Sequence, residues 1–302
     1  MDRFEAMSVL LAVVEEGSIS AGARRLKAPL ATISRKMSEL ERSLGTQLLV
    51  RTSRRIGLTE SGRAFVEAAR RILEQVEEAE RAAAGEYSEP RGELAITAPV
   101  VFGRRHVLPL AAEFLAEYPK IDLRLFLLDR HVNLVDEHLD VAVRLGHLED
   151  SALMAVRVGS VRRVICASPA YLARRGAPMA PADLAAHDGV SFRNFSTSPG
   201  WSLRGDNAAL VEPRTRVALN TVDAAIDAAV AGLGVVRLLS YQIVDELRSG
   251  ALVPLLEEFA PEPIPIQLVY SSQGMLPVKV RAFIDWILPR LRARVQALEA
   301  GG

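Results

Sequence analysis

Thr32, Ser34, Arg35 and Lys36 fall within five consecutive residues. Hydroxyls and guanidinium groups can hydrogen-bond base edges, and ammonium groups hold phosphates. The cluster is therefore suited to duplex DNA. A second cluster, Arg51, Arg54 and Arg55, lies in the stretch Arg51-Thr52-Ser53-Arg54-Arg55-Ile56-Gly57. The remaining reactive types are dispersed. Five histidines (His106, His131, His138, His147 and His187) share no metal-ligand spacing, and the lone Cys166 excludes an internal disulfide or a cysteine-built zinc site. No Gly-x-Ser-x-Gly elbow or phosphate loop occurs. No catalytic residue, metal or cofactor is expected, and Cys166, in a strand without an activating partner, is not expected to sense redox.

Charge supports a nucleic-acid partner for one part of the chain only. The 302 residues balance 37 Lys+Arg against 37 Asp+Glu, but residues 1–65 hold 11 basic and 7 acidic side chains, and residues 24–63 hold 10 and 3. A basic head on a mildly acidic body fits a polyanion bound by the head; a solvated charged face is the alternative. No apolar run is long enough to span a membrane, and MDRFEAMSV has no signal-peptide character. A cytoplasmic protein is expected.

Three short helices must position the first cluster. Residues 2–16 place Phe4, Met7, Leu10, Leu11 and Val14 on one side, with Asp2 as N-cap and Gly17 as the left-handed stop. Ser18 can cap a second helix running to about Leu26, with Ile19, Ala23 and Leu26 facing in; the small Ala21, Gly22 and Ala23 permit a close helix crossing. After a turn at Lys27-Ala28, Pro29 fits the first turn of a third helix ending at Leu44-Gly45. Its apolar side is Leu30, Ile33, Met37, Leu40 and Leu44. The layout is a helix-turn-helix, with an ordinary three-helix bundle as the alternative. Residues 48–50 and 58–59 then pair as a hairpin with the arginines at its tip, a wing that would track phosphates.

These motifs resemble the N-terminal domain of LysR-type transcriptional regulators. The matching pieces are Gly17-Ser18, Ala21-Gly22, Ser34-Arg35, Leu40-Glu41, Leu44-Gly45, Arg51-Thr52-Ser53-Arg54 and Leu58-Thr59-Glu60-Ser61-Gly62. Gly22 stands where the family usually has Ala, Leu49 where an aromatic is common, and Lys27-Ala28-Pro29-Leu30 departs from the family's turn. By the resemblance, DNA contacts fall to Ser18, Lys27, Pro29, Leu30, Thr32, Ser34, Arg35, Lys36, Arg51, Arg54 and Arg55.

Residues 60 to about 85 lack proline and repeat Phe65, Ala68, Ile72, Val76, Ala79 and Ala83 at three and four, with Thr59 as cap. A lone helix with such a stripe needs a cover. The resemblance implies an antiparallel twin and a dimer or tetramer; packing on its own chain is the alternative. GEYSEPRG at 85–92 reads as a hinge.

Beyond Gly92 strands and helices alternate, which predicts a mainly parallel α/β sheet. Expected strands are 93–97, 121–127, 141–144, 162–167, 215–219, 235–238 and 264–270; expected helices are 102–118, 133–137, 222–231, 241–249 and 279–294. Gly92-Glu93-Leu94, Asp140 to Gly146, Cys166 to Leu172 and Ala231 to Gly234 are similar to the family's effector-binding domain, of the type 2 periplasmic-binding-protein fold. The expected division is a winged helix-turn-helix over 1–59, a linker helix over 60–90 and a two-lobed effector domain over 91–302, with lobe 1 near 92–161 and 267–302 and lobe 2 near 162–266.

The resemblance puts a small organic effector between the lobes. Thr97, Ala98, Pro99, Val100 and Phe102 open a helix whose free amides favour an anion, and Thr221 opens another. Arg144, at a strand end, either grips a carboxylate or makes an inter-lobe ion pair. Phe195 and Trp201 either wall the cleft or pack in the core. The expected function is a homo-oligomeric, effector-modulated regulator bound to operator DNA. An enzyme would need a catalytic motif, a periplasmic binder a signal peptide, and a dimeric scaffold would not need the arginine wing.

Overall fold

The computed structural model describes residues 2–51, 56–83, 89–146, 153–192, 201, 203–204, 212–271 and 276–300. The chain divides into two compact units, Met1–Glu89 and Pro90–Gly302.

The first unit contains α1 (Arg3–Glu15), α2 (Ile19–Arg25), α3 (Leu30–Leu44), a hairpin of β1 (Leu49–Arg51) and β2 (Ile56–Leu58), and α4 (Glu60–Ala83). Local chemistry sets the boundaries. Asp2 Oδ1 accepts from the Phe4 amide at 2.9 Å and Ser18 Oγ from the Ala21 amide at 3.1 Å. Gly17 and Gly45 stop α1 and α3 at φ of 71° and 67°, where a side chain would be strained. Pro29 sits one residue earlier than expected, as the N-cap of α3; its extended ψ of 137° starts the helix at Leu30.

Two faces differ from the sequence pattern. α1 is apolar nearly all round, and it buries Ala6, Val9, Leu10, Ala12 and Val13, leaving Phe4 49% exposed. α3 buries Ile33, Met37 and Leu40, but Leu30 and Leu44, at its two ends, project beyond the small core. The family motifs have packing reasons. Glu41 Oε1 accepts from the amides of Leu48 and Leu49 at 2.9 and 3.1 Å, tying α3 to the hairpin. Thr59 donates to the Gln47 carbonyl and caps α4 through the Gly62 amide at 2.8 Å. A Cβ on Gly22 would lie 2.9 Å from the Val13 Cα, so α1 and α2 cross in contact.

The second unit holds two five-stranded sheets. One has the order β4-β3-β5-β12-β6, from β3 (Gly92–Ala98), β4 (Ile121–Leu127), β5 (Val141–Leu145), β6 (Leu153–Val161) and β12 (Ile264–Ser271). The other has the order β11-β7-β10-β8-β9, from β7 (Arg163–Ala167), β8 (Asp188–Phe192), β9 (Arg214–Leu219), β10 (Val235–Leu239) and β11 (Val253–Leu255). The helices are α5 (Val100–Phe102), α6 (Leu108–Glu117), α7 (Pro169–Arg175), α8 (Val222–Val230), α9 (Val244–Ser249) and α10 (Val278–Ala300). The main chain passes between the sheets twice, at 161–163 and at 255–264.

The sheets are mixed, not mainly parallel. β12 runs antiparallel to β5 and β6, and β7 antiparallel to β10 and β11. The sequence pattern predicts no strand at β6, β8 or β11. β6 is an edge strand interrupted by Arg157, Gly159 and Ser160, β8 opens on Asp188-Gly189, and β11 is a three-residue edge containing Pro254; each breaks the apolar signature of a strand. The helix expected at 133–137 is a set of turns, nucleated by Asn133 Oδ1 accepting from the Val135 amide at 2.9 Å. The helix expected over 102–118 starts at Val100 and carries a π-turn at Gly103–Val107. Pro109 follows that turn and lacks the amide that would continue the ladder. Among the described residues no single helix is long and apolar enough to cross a membrane.

Candidate DNA-reading face and effector cleft

In the first unit, the N-terminal turn of α3 buries Ile33 and leaves its neighbours accessible. Leu30 is 52% exposed and Pro29 is exposed beside it; Thr32 and Ser34 are half-buried. Lys27 turns the chain at φ 51°, in the left-handed region, with its side chain exposed. Arg35 is accessible, its side chain 71% exposed and only loosely paired with Glu39 at 3.8 Å. Lys36 behaves differently. Its side chain is 19% exposed and its ammonium pairs with Glu5 of α1, so the structure separates it from Arg35. Ser18 is engaged as a cap. Arg51 ends β1, and Arg54 and Arg55 lie outside the described residues.

In the second unit, a cleft of about 220 Å³ opens between the two sheets. Its walls follow one rule: each lining segment sits at the carboxyl end of a strand. Thr97 and Ala98 end β3 and Pro99 follows it; residues 128–132 follow β4; residues 143–145 end β5; Phe192 ends β8; Leu239 ends β10, and Tyr241 and Gln242 follow it. Carboxyl ends of open α/β sheets are where ligands enter such folds.

The polar lining is specific. Thr97 is 3% exposed and donates to the Phe126 carbonyl at 2.9 Å. Arg130 is committed to Glu137, with two contacts of 2.6 Å. Arg144 donates to the Val132 carbonyl and has no carboxylate partner among the described residues; burial lowers its pKa. Gln242 Oε1 accepts from the Leu239 amide at 2.8 Å. Tyr241 packs edge-on against Phe102, with ring centroids 5.3 Å apart.

The expected cleft residues divide. Thr97, Ala98, Pro99 and Arg144 line the cleft. The Val100 amide is already bonded to Asp129 Oδ1 at 2.9 Å, so the helix start is not an open anion seat at that amide. Phe102 is fully buried beneath the cleft, because its position on the helix points inward against Tyr241. Trp201 is 7% exposed within a separate core with Ile165, Tyr171, Leu184 and Leu203; its indole serves packing. Thr221 is exposed and caps α8 through the Ala224 amide at 3.4 Å, and it does not line the cleft. Phe195 lies outside the described residues. Asp129, Tyr241 and Gln242 carry no motif; their place just after β4 and β10 is the signal that finds them.

Comparison with known proteins agrees with both units. Residues 4–63 match the bacterial regulatory helix-turn-helix protein, lysR family, and residues 88–292 match the LysR substrate binding domain. The chain is 32% identical over 296 residues to the HTH-type transcriptional repressor PA14_22550 of Pseudomonas aeruginosa, covering 95% of this chain and 92% of that one. It is 32% identical over 290 residues to the HTH-type transcriptional activator AaeR of Escherichia coli, covering 94% and 93%. Among solved structures, CrgA of Neisseria meningitidis superposes with a TM-score of 0.60 at 30% identity, covering 95% of this chain and 98% of that one. Full-length AphB of Vibrio cholerae gives 0.60 at 27%, covering 96% and 99%. With a DNA-binding helix-turn-helix in one unit and an effector-binding α/β fold in the other, the chain belongs to the LysR family of transcriptional regulators.

Proposed function

We propose that the chain is a dimeric or tetrameric regulator whose operator affinity is set by a small organic acid bound between the lobes. Residues 1–59 read DNA, 60–90 pair two copies, and 91–302 sense the ligand; the protein acts in the cytoplasm, where its operator is. The carrying observation is the cleft: five strand ends converge on it from two sheets, and Arg144 faces it without a carboxylate. Asp129 stands in the same cleft, capping Val100. A ligand that suits both has a carboxylate for Arg144 and a hydroxyl or amine that donates to Asp129.

Pairing is supported by α4. Val66 and Ala69 are buried within their own unit, but Ile72 is 37% exposed and Val76 is half-buried, so the stripe outruns its cover. A second copy would bury it. On DNA, Arg35, Thr32, Ser34 and Leu30 would meet base edges while Lys27, Pro29, Ser18 and the hairpin arginines Arg51, Arg54 and Arg55 meet the backbone. Lys36 contributes to the local field from its pair with Glu5.

The test uses the full chain. Footprinting on duplex DNA upstream of its own coding sequence is combined with a thermal-shift screen of hydroxy and amino acids. The reading predicts a protected interrupted repeat whose pattern changes with one of these acids, and loss of that response in Arg144→Ala with DNA binding retained. An unchanged response in that variant overturns the ligand assignment. Ile72→Glu should leave a monomer in sedimentation; a persistent dimer overturns the pairing.

A further inference from the structure

Arg163 and Arg237 are neighbours on one face of the second sheet, outside the effector cleft. β7 and β10 pair antiparallel with Arg163 opposite Leu239 and Arg237 opposite Ile165, which puts the two arginines on a diagonal of the same face. Both are half-buried. Among the described residues neither side chain makes a hydrogen bond or ion pair; Arg237 only lies over the Trp201 ring, 5.5 Å from its centroid. Buried guanidinium groups normally find acceptors, because leaving their donors unmet is costly. Burial, then the Arg163 charge, lowers the Arg237 pKa to about 10, and burial lowers that of Arg163. Glu212 acts on Arg237 from a distance, and Glu257, at the rim, is exposed and pairs with neither arginine.

The groove these arginines line has a particular address. One wall is Arg162 and Arg163, the first residues after the chain leaves β6; the other is Leu256, Ala260 and Pro261, on the segment that returns to β12. Those are the two passages between the lobes. Leu256 holds φ 54°, a strained conformation for a leucine, at the edge of the groove. The space is about 40 Å³, room for one small oxyanion or for the charged head of a larger ligand.

We infer that the groove formed by Arg163 and Arg237 at the two lobe crossovers binds a small oxyanion, a phosphate or carboxylate group, and that this occupant ties the crossovers together. The chemistry is the planar guanidinium fork meeting paired oxygens. The site is separate from the cleft of Arg144 and does not depend on what that cleft binds. A ligand bridging both passages stiffens the hinge on which any lobe movement turns, and so biases one lobe arrangement.

Hydrogen exchange on the full chain tests this, in sodium phosphate, sodium acetate and sodium chloride at equal ionic strength. The expected result is slower exchange at 160–165 and 256–262 in phosphate or acetate relative to chloride. Protection in both identifies a site that reads any oxyanion; protection in phosphate alone identifies a tetrahedral one. Arg163→Gln and Arg237→Gln should each weaken the dependence on anion concentration roughly tenfold or more. Arg237→Lys, which keeps the charge without the fork, should fall between them and the parent. If Arg237→Gln unfolds through loss of its stack on Trp201, Arg163→Gln alone decides. No protection in either oxyanion, or equal protection in Arg163→Gln, overturns the inference.

Discussion

The Val100 amide donates to Asp129 Oδ1 at 2.9 Å, so the helix that opens the cleft between the two sheets is capped from within the cleft wall. The carboxyl of Asp129 is pushed above its ordinary pKa by burial, with the Val100 hydrogen bond pulling the other way. A negative group therefore lines the same cleft as Arg144, and it is one that protonates more readily than most aspartates.

Asp129→Asn keeps an acceptor for the Val100 amide and removes the charge. Binding of a simple carboxylate without a donor group should tighten by roughly 1 kcal/mol, about fivefold. In the parent chain, the same affinity should rise as pH falls toward the elevated Asp129 pKa, because the repelling charge is lost; in Asp129→Asn it should stay flat. Calorimetric titration across pH 7 to 5 reads both, and an affinity that follows the same pH curve in both proteins contradicts the role given to Asp129.

Gly62 and Leu48 make a second relationship with a sharp consequence. A Cβ at Gly62 would stand 2.0 Å from the Leu48 carbonyl oxygen, which is backbone and cannot swing away. Gly62→Ala must push α4 off the hairpin and strain the Thr59 cap. The expected loss is about 1–3 kcal/mol for the first unit, seen as a lower midpoint for its unfolding transition. An unshifted midpoint would mean the hairpin yields more easily than its contacts with Glu41 imply.

This pair also shows what the sequence discloses and what it hides. Caps and stops are local: Asp2, Gly17, Ser18, Gly45 and Thr59 act on residues within a few positions, and their types announce them. The core of the reading head is legible where Ile33, Met37 and Leu40 recur at helical spacing. Phe4, Leu30 and Leu44 share that spacing but sit at helix ends, where a small core no longer reaches, so periodicity alone overcounts the buried face. The cleft is harder still. Asp129 and Arg144 are brought together with Tyr241 and Gln242 by the pairing of strands far apart in sequence, and nothing local records that convergence. Trp201 illustrates the converse: its residue type suits a ligand wall, but tertiary packing places it in the core of the second sheet.

His106 lies half-buried behind the cleft, its ring 4.9 Å from Phe102 and 6.0 Å from Tyr241, with no hydrogen bond to Nε2 among the described residues. Burial lowers its pKa to about 4, helped by the charges of Arg294 and Arg105. The folded value is below the unfolded value of 6.5. The neutral ring's contribution to stability is therefore fully present above pH 6.5 and is lost as pH falls toward 4. A proton NMR titration should find this imidazole still neutral at pH 5.5. Thermal stability should decline from pH 6.5 to 5, and His106→Phe should make that decline shallower, the remainder coming from His187, whose pKa is also lowered by burial. An imidazole titrating at the ordinary value would mean water reaches Nε2.

Arg35 and Lys36 are adjacent in sequence but not equivalent in the structure. The Arg35 side chain is 71% exposed, and Lys36 is turned toward α1 and paired with Glu5. A guanidinium on the exposed face can enter a groove, while an ammonium already neutralised by a carboxylate has less to offer phosphate. Arg35→Ala should cost about 1–3 kcal/mol of operator affinity if it reads a base, with relaxed preference at that base pair. If it holds phosphate, the loss should be uniform across sequences and the salt slope should fall by about 0.9. Lys36→Ala should lower affinity less and lower the stability of the first unit as well, because it leaves Glu5 alone beside α3. Glu5→Gln should reproduce the stability change of Lys36→Ala without its loss of positive charge. Filter binding across a salt series, with thermal unfolding of the same proteins, separates these effects. Equal losses of affinity in Arg35→Ala and Lys36→Ala, with no change in stability, would show that both side chains face the DNA and that the Glu5 pair opens on binding.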